Sequence, residues 1–555
     1  MTRKKGIRYY ATPKRVFAEK LCAKHRIDGN NPLGDRAVAK LLYNSRYKKD
    51  FSHYEHARGM VRQIRGHLGD ECRTLLMDKS LTTPPNHSRT YLQTKDSEEY
   101  LMASKKKLVK SKYYIVTWAQ NNTDVHSELW RNISAYAKFL GASIHVILGR
   151  YKNPTRLNDG DDEEHWAQEV LPYADARRHS IHKNLTLLSD IKVQPTASTP
   201  LTGMESMSGL NSAIIGHPKM QLDTIPALEG YEPKLIMTTG AVTEKNYSDS
   251  KAGKRGDFHH TYGFCIVEIK NENVFIPRQV TALNNGSFSD LIYNVKDGKV
   301  KRIKEISYAN LGDKHIGDHC QIVERQQKRW LEYFKPKATM VHDIFNGTSV
   351  NHHEEHDPIK KFHKEQTGAN MIKREVEYMF DWIDSMKQYN LVIVSSNHND
   401  WLDKYIKRKD WKYDIKNAME YMEYSKILLS GKATKGLIAY LIDQRFGKKV
   451  RTLSRNDSFR INDIELAQHG DIGTNGSRGG LIQFKKLSTK MDVGDSHVPR
   501  RLDGVMYVGT STKLRVGYNI GASSWRNADI ICHTDGKRQH IIYMGDAKEF
   551  TTFKF

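Results

Sequence analysis

Short apolar strands that end in polar, metal-competent side chains recur between residues 301 and 521, and this feature most limits how the chain can fold. The strand predicted at 391–394 is followed by Asn397 and His398, and a second apolar run ends in Asp343. Parallel strands bring their carboxyl ends to the same edge of a sheet. The repeated pattern therefore predicts an α/β domain whose site is assembled along one sheet edge.

Three further segments carry the same kinds of side chain. Asp313 and His315 stand two residues apart, a spacing that puts both side chains on one side of an extended segment, where they can chelate one cation. His469 follows an apolar run, and Asp495 and His497 precede another. Each motif alone is more often a surface loop or turn than a catalytic site, so the informative property is their joint order.

The ordered set D-x-H, D, N-H, H-G and G-x-S-H resembles the calcineurin-like metallophosphoesterase superfamily. The Ile316-Gly317 pair after the first histidine is similar to the branch that holds the SbcD-type and double-strand-break-repair nucleases. The whole chain, with its long N-terminal half, resembles a family of coliphage proteins that are made before other early proteins and degrade DNA.

This resemblance implies a four-layer α/β sandwich core that holds two metal ions. Asp343 matches the carboxylate that bridges the metals, and His398 matches the histidine that lies beside the scissile phosphate without binding metal. The other implied ligands are Asp313, His315 and His497 for the first metal and Asn397 and His469 for the second.

Three positions depart from the family pattern. Asp495 stands where the family has a histidine, and His342 stands where it has the glycine before the bridging aspartate. The acidic residue expected after N-H is Asn399, with Asp400 one place later. A carboxylate can still bind a hard divalent ion, so Asp495 is retained as a candidate ligand. We therefore expect an active site, and its metal affinity or metal preference can differ from that of the family.

Mixed Asp, His and Asn ligation suits manganese, iron or zinc better than calcium, and we expect two divalent ions, with manganese as the first choice. Two cations about 4 Å apart can bind phosphate oxygens and lower the pKa of a bridging water. An imidazole beside the phosphate, the role assigned to His398, can stabilise the transition state and protonate the leaving oxygen.

The charge of the chain points to a polyanionic partner. The sequence has 88 Lys and Arg against 64 Asp and Glu, a formal net charge of +24, and residues 1–50 hold 14 of the cations and only four acids. A solvated basic surface is the alternative explanation. A helix predicted at 53–68 carries Arg58, Arg62 and Arg65 on one face, which either follows a phosphate backbone or is solvated.

Changes in composition and in helical or β-type residue patterns divide the chain into four predicted parts. Two β-rich runs that flank a helical stretch predict a βαβ unit near the start of the second part. The predicted parts are a basic helical region with DNA-binding potential (1–112), an α/β accessory domain (113–300), the metallophosphoesterase nuclease domain (301–525) and a C-terminal extension (526–555).

Three other segments contain candidate residues. Arg478, in the glycine-rich loop 473–480, is predicted to reach a substrate phosphate; this loop lacks the ending of a P-loop. The His- and Glu-rich segment 351–357 is interpreted as a solvated loop near the site, with a third metal site as the alternative. His259 and His260 are interpreted as structural because neighbouring side chains on a strand face opposite ways.

These observations together favour a metal-dependent DNA nuclease that degrades host DNA in the cytoplasm of an infected bacterium. DNA is the expected partner; another phage early protein and a second copy of the chain remain open. A phosphatase or phosphodiesterase on another phosphoester is the enzymatic alternative, and a non-catalytic DNA-binding host-takeover protein is the third. No apolar run approaches the ~18 residues of a membrane span, and the five cysteines form no CxxC pair.

Overall fold

The computed structural model describes residues 13–25, 33–51, 53–65, 110–151, 165–517 and 519–555. These residues form a mixed α/β structure with twelve α-helices and 24 strands, in agreement with the predicted α/β class. They fall into two units, a helical one before residue 96 and an α/β one after it. Within the described ranges no helix is both long and apolar enough to cross a bilayer.

Three helices are described in the N-terminal unit, where the sequence predicts a helical region. They are α1 (Pro13–Lys24), α2 (Asp35–Tyr43) and α3 (Tyr54–Ile64). Their apolar stripes meet in a small core that includes Cys22, Leu42 and Val61. The remainder of the predicted third helix, residues 66–68, lies outside the described residues.

Arg65 does not lie on the free basic face that the sequence predicts. Its guanidinium donates to the carbonyls of His25 (2.6 Å) and Leu33 (2.9 Å) and to the carboxylate of Asp35 (3.0 Å). A cation at the carboxyl end of α1 satisfies carbonyls that the helix leaves unpaired. Arg65 is therefore a structural residue, whereas Arg58, which pairs with the exposed Glu55, and Arg62 remain partly exposed.

A six-stranded sheet lies at the centre of the second unit. Its order is β17-β16-β15-β14-β23-β24, and the first four strands are parallel. The strands are β14 (Ile306–Asn310), β15 (Thr339–Val341), β16 (Leu391–Ile393), β17 (Arg451–Thr452), β23 (Ala528–His533) and β24 (Arg538–Ile542).

Helices cover one face of this sheet. Trp330, Ile383 and Leu402 on three of them pack against strand residues such as Val341 and Ile393 in the largest apolar core. The helices between β14 and β17 are α6 (Gln321–Phe334), α7 (Pro358–Thr367), α8 (Ile372–Met386), α9 (Asn399–Arg408), α10 (Ala418–Leu429) and α11 (Leu437–Phe446).

A ten-stranded sheet packs against the other face. Tyr308 and Val394 of the six-stranded side meet Ile464 and Leu466 in a shared core. The order is β18-β19-β20-β22-β21-β7-β8-β6-β5-β4, and the short helix α12 (Leu481–Phe484) packs on this sheet. The strands are β4 (Arg178–His182), β5 (Leu185–Leu188), β6 (Ser212–Ile215), β7 (Leu222–Ile225), β8 (Lys234–Thr238), β18 (Arg460–Ile461), β19 (Ile464–Glu465), β20 (Lys490–Val493), β21 (Arg500–Leu502) and β22 (Val505–Tyr507).

The predicted βαβ unit is confirmed in a five-stranded sheet of order β10-β9-β1-β2-β3, where β1 and β2 pair in parallel on either side of α4. A three-stranded sheet of order β11-β12-β13 follows it in the sequence. The elements are β1 (Tyr113–Gln120), α4 (Ser127–Leu140), β2 (Ser143–Gly149), β3 (Ala174–Asp175), α5 (Lys251–His259), β9 (Gly263–Ile269), β10 (Phe275–Thr281), β11 (Phe288–Asp290), β12 (Tyr293–Lys296) and β13 (Lys299–Arg302).

The sheets cross the domain boundaries that the sequence predicts at residues 300 and 525. The pairing of Arg501 in β21 with Leu222 in β7 joins strands from the accessory and nuclease parts into one ten-stranded sheet. Strand β23, from the predicted extension, pairs with β14 in the six-stranded sheet. Local composition shows where one kind of sequence gives way to another along the chain, but it carries no information about which strands pair with each other.

The His259–His260 pair lies at the end of helix α5 and not on a strand, so the predicted strand geometry is wrong. His260 is buried, and its two ring nitrogens lie 2.8 Å from the Tyr247 hydroxyl and 3.0 Å from the Thr243 carbonyl. Both nitrogens are thus used in hydrogen bonds, which supports the structural interpretation of this histidine.

Candidate metal centre

Five strand ends deliver the side chains that the sequence selects. β14, β15 and β16 are parallel neighbours in the six-stranded sheet, and β19 and β20 are parallel neighbours in the ten-stranded one. The loops that follow these strands meet in the interior of the second unit. Five buried residues come together there and are called the Asp/His cluster: Asp313, His315, Asp343, His469 and His497.

Asp343 lies at the middle of the Asp/His cluster. Its Oδ2 is 3.3 Å from Nε2 of His315 and 3.2 Å from Nε2 of His469. His315 comes from the six-stranded sheet and His469 from the ten-stranded one, so this carboxylate lies between donors that the two sheets supply. That is the position expected of a bridging ligand.

A second group of donor atoms surrounds Asp313. His497 Nε2 lies 3.2 Å from Asp313 Oδ2 and 3.1 Å from His315 Nε2. Two imidazole nitrogens that face each other at this distance are positioned to share one cation, since metal–nitrogen bonds of about 2.1 Å place neighbouring ligand atoms roughly 3 Å apart. The predicted set for the first metal is therefore brought together.

Of the predicted ligands of the second metal, His469 belongs to the Asp/His cluster, and Asp495 and Asn397 do not. His469 Nε2 is 3.9 Å from Asp495 Oδ1, so the carboxylate of Asp495 points at the Asp/His cluster. The side-chain oxygen of Asn397 is buried and accepts no hydrogen bond within the described residues. His342, the residue before Asp343, adds a donor that the sequence did not assign: it can share a cation with Asp313 and His469.

The unsatisfied polar atoms of the centre test whether a cation fits. Both oxygens of Asp313, Oδ1 of Asp343 and Nε2 of His469 are buried without a hydrogen bond of good geometry, although neighbouring ring nitrogens lie close. Buried polar atoms in proteins are nearly always hydrogen-bonded or bound to an ion. Carboxylate oxygens and imidazole nitrogens gathered in this way are the donors of a borderline divalent cation, so the residues fit the predicted metals.

Opposite charges in the Asp/His cluster shift the pKa values of its carboxyl and imidazole groups. Burial would raise the pKa of the Asp343 carboxyl, but His469, His398 and His315 lower it well below its ordinary value. Burial would also lower the pKa of His469, but Asp343 raises it to about 10. Without a cation, these two side chains therefore form an ion pair.

His398 lies beside the cluster with its ring held from two sides. Its Nδ1 donates to the carbonyl of Asn346 (2.7 Å), and its ring stacks on Trp401 at 3.9 Å. Its edge meets the ring of His315 at 4.4 Å. Burial lowers the pKa of His398 to about 4, so the imidazole is neutral at pH 7 and its Nε2 is a proton acceptor.

Asn346 and Arg455 are positioning residues that the sequence did not reveal. The side-chain oxygen of Asn346 lies 3.2 Å from Nδ1 of His315, so this residue orients both a cluster histidine and His398. Arg455 donates to Asp400 (2.7 Å) and Asp471 (2.6 Å), which follow the N-H and H-G motifs. Asn346 stands three residues after Asp343 in the chain, but nothing in the local sequence marks Arg455.

The packing of the centre explains why a glycine, Gly494, precedes Asp495. A Cβ at this position would lie 2.3 Å from Oδ1 of Asp313 and 3.1 Å from Nδ1 of His469. Only a residue without a side chain leaves room for both groups. The glycine of the G-x-S-H motif is therefore required by the packing of the centre.

The predicted phosphate contact Arg478 lies on the exposed part of loop 473–480. The loop closes at its base, where Gly479 N donates to the Asp471 carbonyl at 2.8 Å. The side chain of Arg478 is accessible to a substrate, and its function remains a prediction.

Comparison with known proteins gives one relative. The chain is 29% identical to "Protein A1" of Escherichia phage T5 over 455 residues, which cover 78% of this chain and 81% of that protein. This similarity supports a bacteriophage origin. No protein-family model matches the chain, and no solved structure matches it.

Proposed function

We propose that the protein is a metal-dependent DNA nuclease of the metallophosphoesterase type. The observation that carries this proposal is the Asp/His cluster, in which buried carboxylates and imidazoles with unsatisfied atoms lie beside the neutral His398. Helices, a six-stranded sheet, a ten-stranded sheet and a short helix stacked in that order also suit the four-layer sandwich of that superfamily.

The residues present divide into two proposed metal sites. Asp313, His315 and His497 would hold the first ion, and Asp343 would contact both. Asn397, His469 and Asp495 would hold the second, with His342 as an added donor. Manganese is the first choice, with iron or zinc as alternatives. Two bound cations would neutralise the phosphodiester charge and supply an activated water.

The residues around the centre then act on the substrate directly. His398, held at Nδ1 by the Asn346 carbonyl and stacked on Trp401, has Nε2 as its proton acceptor, and this nitrogen can take the proton that the attacking water loses. After it is protonated, the same nitrogen can donate to the leaving oxygen. The buried setting of the centre strengthens each of these electrostatic contacts.

The biological setting is proposed from the sequence similarity and the charge. A phage relative over most of the chain and a net charge of +24 suit a protein that acts on host DNA in the infected cytoplasm. Another phage early protein or a second copy of the chain would be an additional partner.

The test is digestion of linear, nicked and circular DNA by purified protein with Mn²⁺, repeated with a chelator. We expect cleavage with Mn²⁺, none with the chelator, and loss of cleavage with retained DNA binding in His398→Ala. Hydrolysis of an aryl phosphate alone, with all DNA intact, would favour a phosphatase. DNA binding without turnover under any divalent ion would favour the non-catalytic protein.

A further inference from the structure

Helix α9 leads away from the candidate metal centre, and its side chains connect that centre with the surface. His398 is its N-cap, and Trp401, Lys404 and Arg408 follow at steps of three and four residues, which places them on one face. With a rise of 1.5 Å per residue, Lys404 lies about 9 Å and Arg408 about 15 Å from His398 along the helix.

The segment 351–357 lies against this face. The rings of His352 and His353 lie 5.3 and 5.7 Å from that of Trp401, and the two histidine rings are 4.0 Å apart. His353 is exposed. Lys404 and Arg408 are near enough to His352 to contribute, after burial and His353, to the lowering of its pKa.

Lys404 and Arg408 on this face of α9 differ from the nearby lysines, which form ion pairs with the acids of segment 351–357. Glu354 is bound by Lys360 and Lys364, and Glu355 is bound by Lys409. Both glutamates of segment 351–357 are thus neutralised, and its third acid, Asp357, is the N-cap of α7, where its carboxylate accepts from the backbone N–H groups of Ile359 and Lys360.

Lys404 and Arg408, by contrast, form no ion pair with any described residue, although Arg408 is exposed and Lys404 partly so. Unpaired cations in line beside the exposed His353 ring and the partly exposed His352 ring suit a ligand that has regular negative charges and planar faces.

We infer that a nucleic-acid strand leaves the centre along α9, with its phosphates on Lys404 and Arg408 and an unpaired base on the His352–His353 rings. This inference rests on the proposed nuclease function and adds the substrate class, a polymer with unpaired nucleotides next to the cleaved bond. A small phosphoester would occupy the Asp/His cluster without reaching this face.

The first experiment removes the two charges in Lys404→Gln/Arg408→Gln. Binding of a fluorescent single-stranded oligonucleotide is measured against salt, and cleavage is measured on the same DNA and on an aryl phosphodiester with Mn²⁺. We expect the slope of log affinity against log salt to flatten by about 1.4, because each phosphate contact on a single strand contributes about 0.7 to that slope. Efficiency on DNA should fall at least tenfold relative to the aryl substrate.

The matched control is Lys412→Gln/Lys416→Gln, which removes two charges from residues that are paired with Asp410 and Glu365. It should keep the wild-type slope and cleavage ratio. If the α9 variant behaves like this control while wild-type protein digests DNA, the strand path is wrong and the nuclease function stands. If wild-type protein leaves all DNA intact, both the proposed function and the strand path are wrong.

The second experiment tests the ring contact. His353→Ala should weaken binding of the single strand about fivefold or more, and His353→Phe should restore it, since any aromatic face can stack on a base. Equal binding by the Ala and Phe variants would remove the base from the proposed path.

Discussion

At the scale of single residues, the candidate centre stores backbone strain. His315, Asp343, Asp495 and His497 all have φ between 43° and 66°, in the left-handed region that side chains rarely adopt. Each such residue costs about 1 kcal/mol or more. Three of these residues belong to the Asp/His cluster and Asp495 lies beside it; the surrounding sheets hold all four in these backbone conformations, which turn their donor atoms toward one another.

Gly494→Ala tests how tightly this centre is packed. The added methyl would overlap Oδ1 of Asp313, so we expect Mn²⁺ affinity to fall by roughly tenfold or more and the free energy of unfolding to fall by about 1–3 kcal/mol. Titration calorimetry and urea denaturation measure the two effects. Gly480→Ala is the control because a Cβ there meets only open space; equal effects at both positions would contradict the packing argument.

At the scale of elements, the parallel strand ends explain how far the sequence could predict the centre. Asp343, Asn397 and His469 could be selected because each follows a short apolar run, a local pattern that the structure confirms as a strand or a strand end. Arg455 could not be selected, because its two carboxylate partners lie 55 and 16 residues away in the chain. Contacts of this kind depend on tertiary packing and leave no local spacing.

The Arg455 contact joins the first turn of α9 to the loop after β19. Arg455→Gln would leave Asp400 and Asp471 without their shared cation, and we expect the free energy of unfolding to fall by about 1–3 kcal/mol, since the group is only partly buried. Arg455→Lys should recover part of the loss, because an ammonium cannot bind both carboxylates in the same planar geometry.

Denaturant unfolding of the two variants measures this effect. Arg325→Gln, at an exposed position of α6, is the control for loss of one positive charge. Stability of Arg455→Gln equal to that of the control would show that the contact does not hold the two elements together.

At the scale of the whole molecule, buried neutral histidines make stability depend on pH. Burial lowers the pKa of His260 and of His540 to about 3 in each case. In the unfolded chain both take up a proton as pH falls through about 6.5, whereas the folded protein stays neutral until about pH 3. The unfolded state therefore binds more protons in this window, and stability should fall with decreasing pH by about 1.4 kcal/mol per unit for each histidine.

Urea denaturation at pH 7, 6 and 5 with chelator present measures this slope. The double variant His260→Gln/His540→Gln should have a shallower slope than the wild type, and replacement of the exposed His356 by Gln should leave it unchanged. A double variant that loses stability on acidification as steeply as the wild type would contradict the prediction.

The shared sheets also bear on when the candidate centre can assemble during synthesis of the chain. Strand β23 pairs with β14, the strand that leads to Asp313, yet more than 200 residues separate them in the chain. A nascent chain that has already exposed all of its ligands outside the ribosome still lacks the strand that flanks the first of them. Since long-range pairings form late in folding, the order of translation itself would delay assembly of the centre until the C-terminal strands emerge.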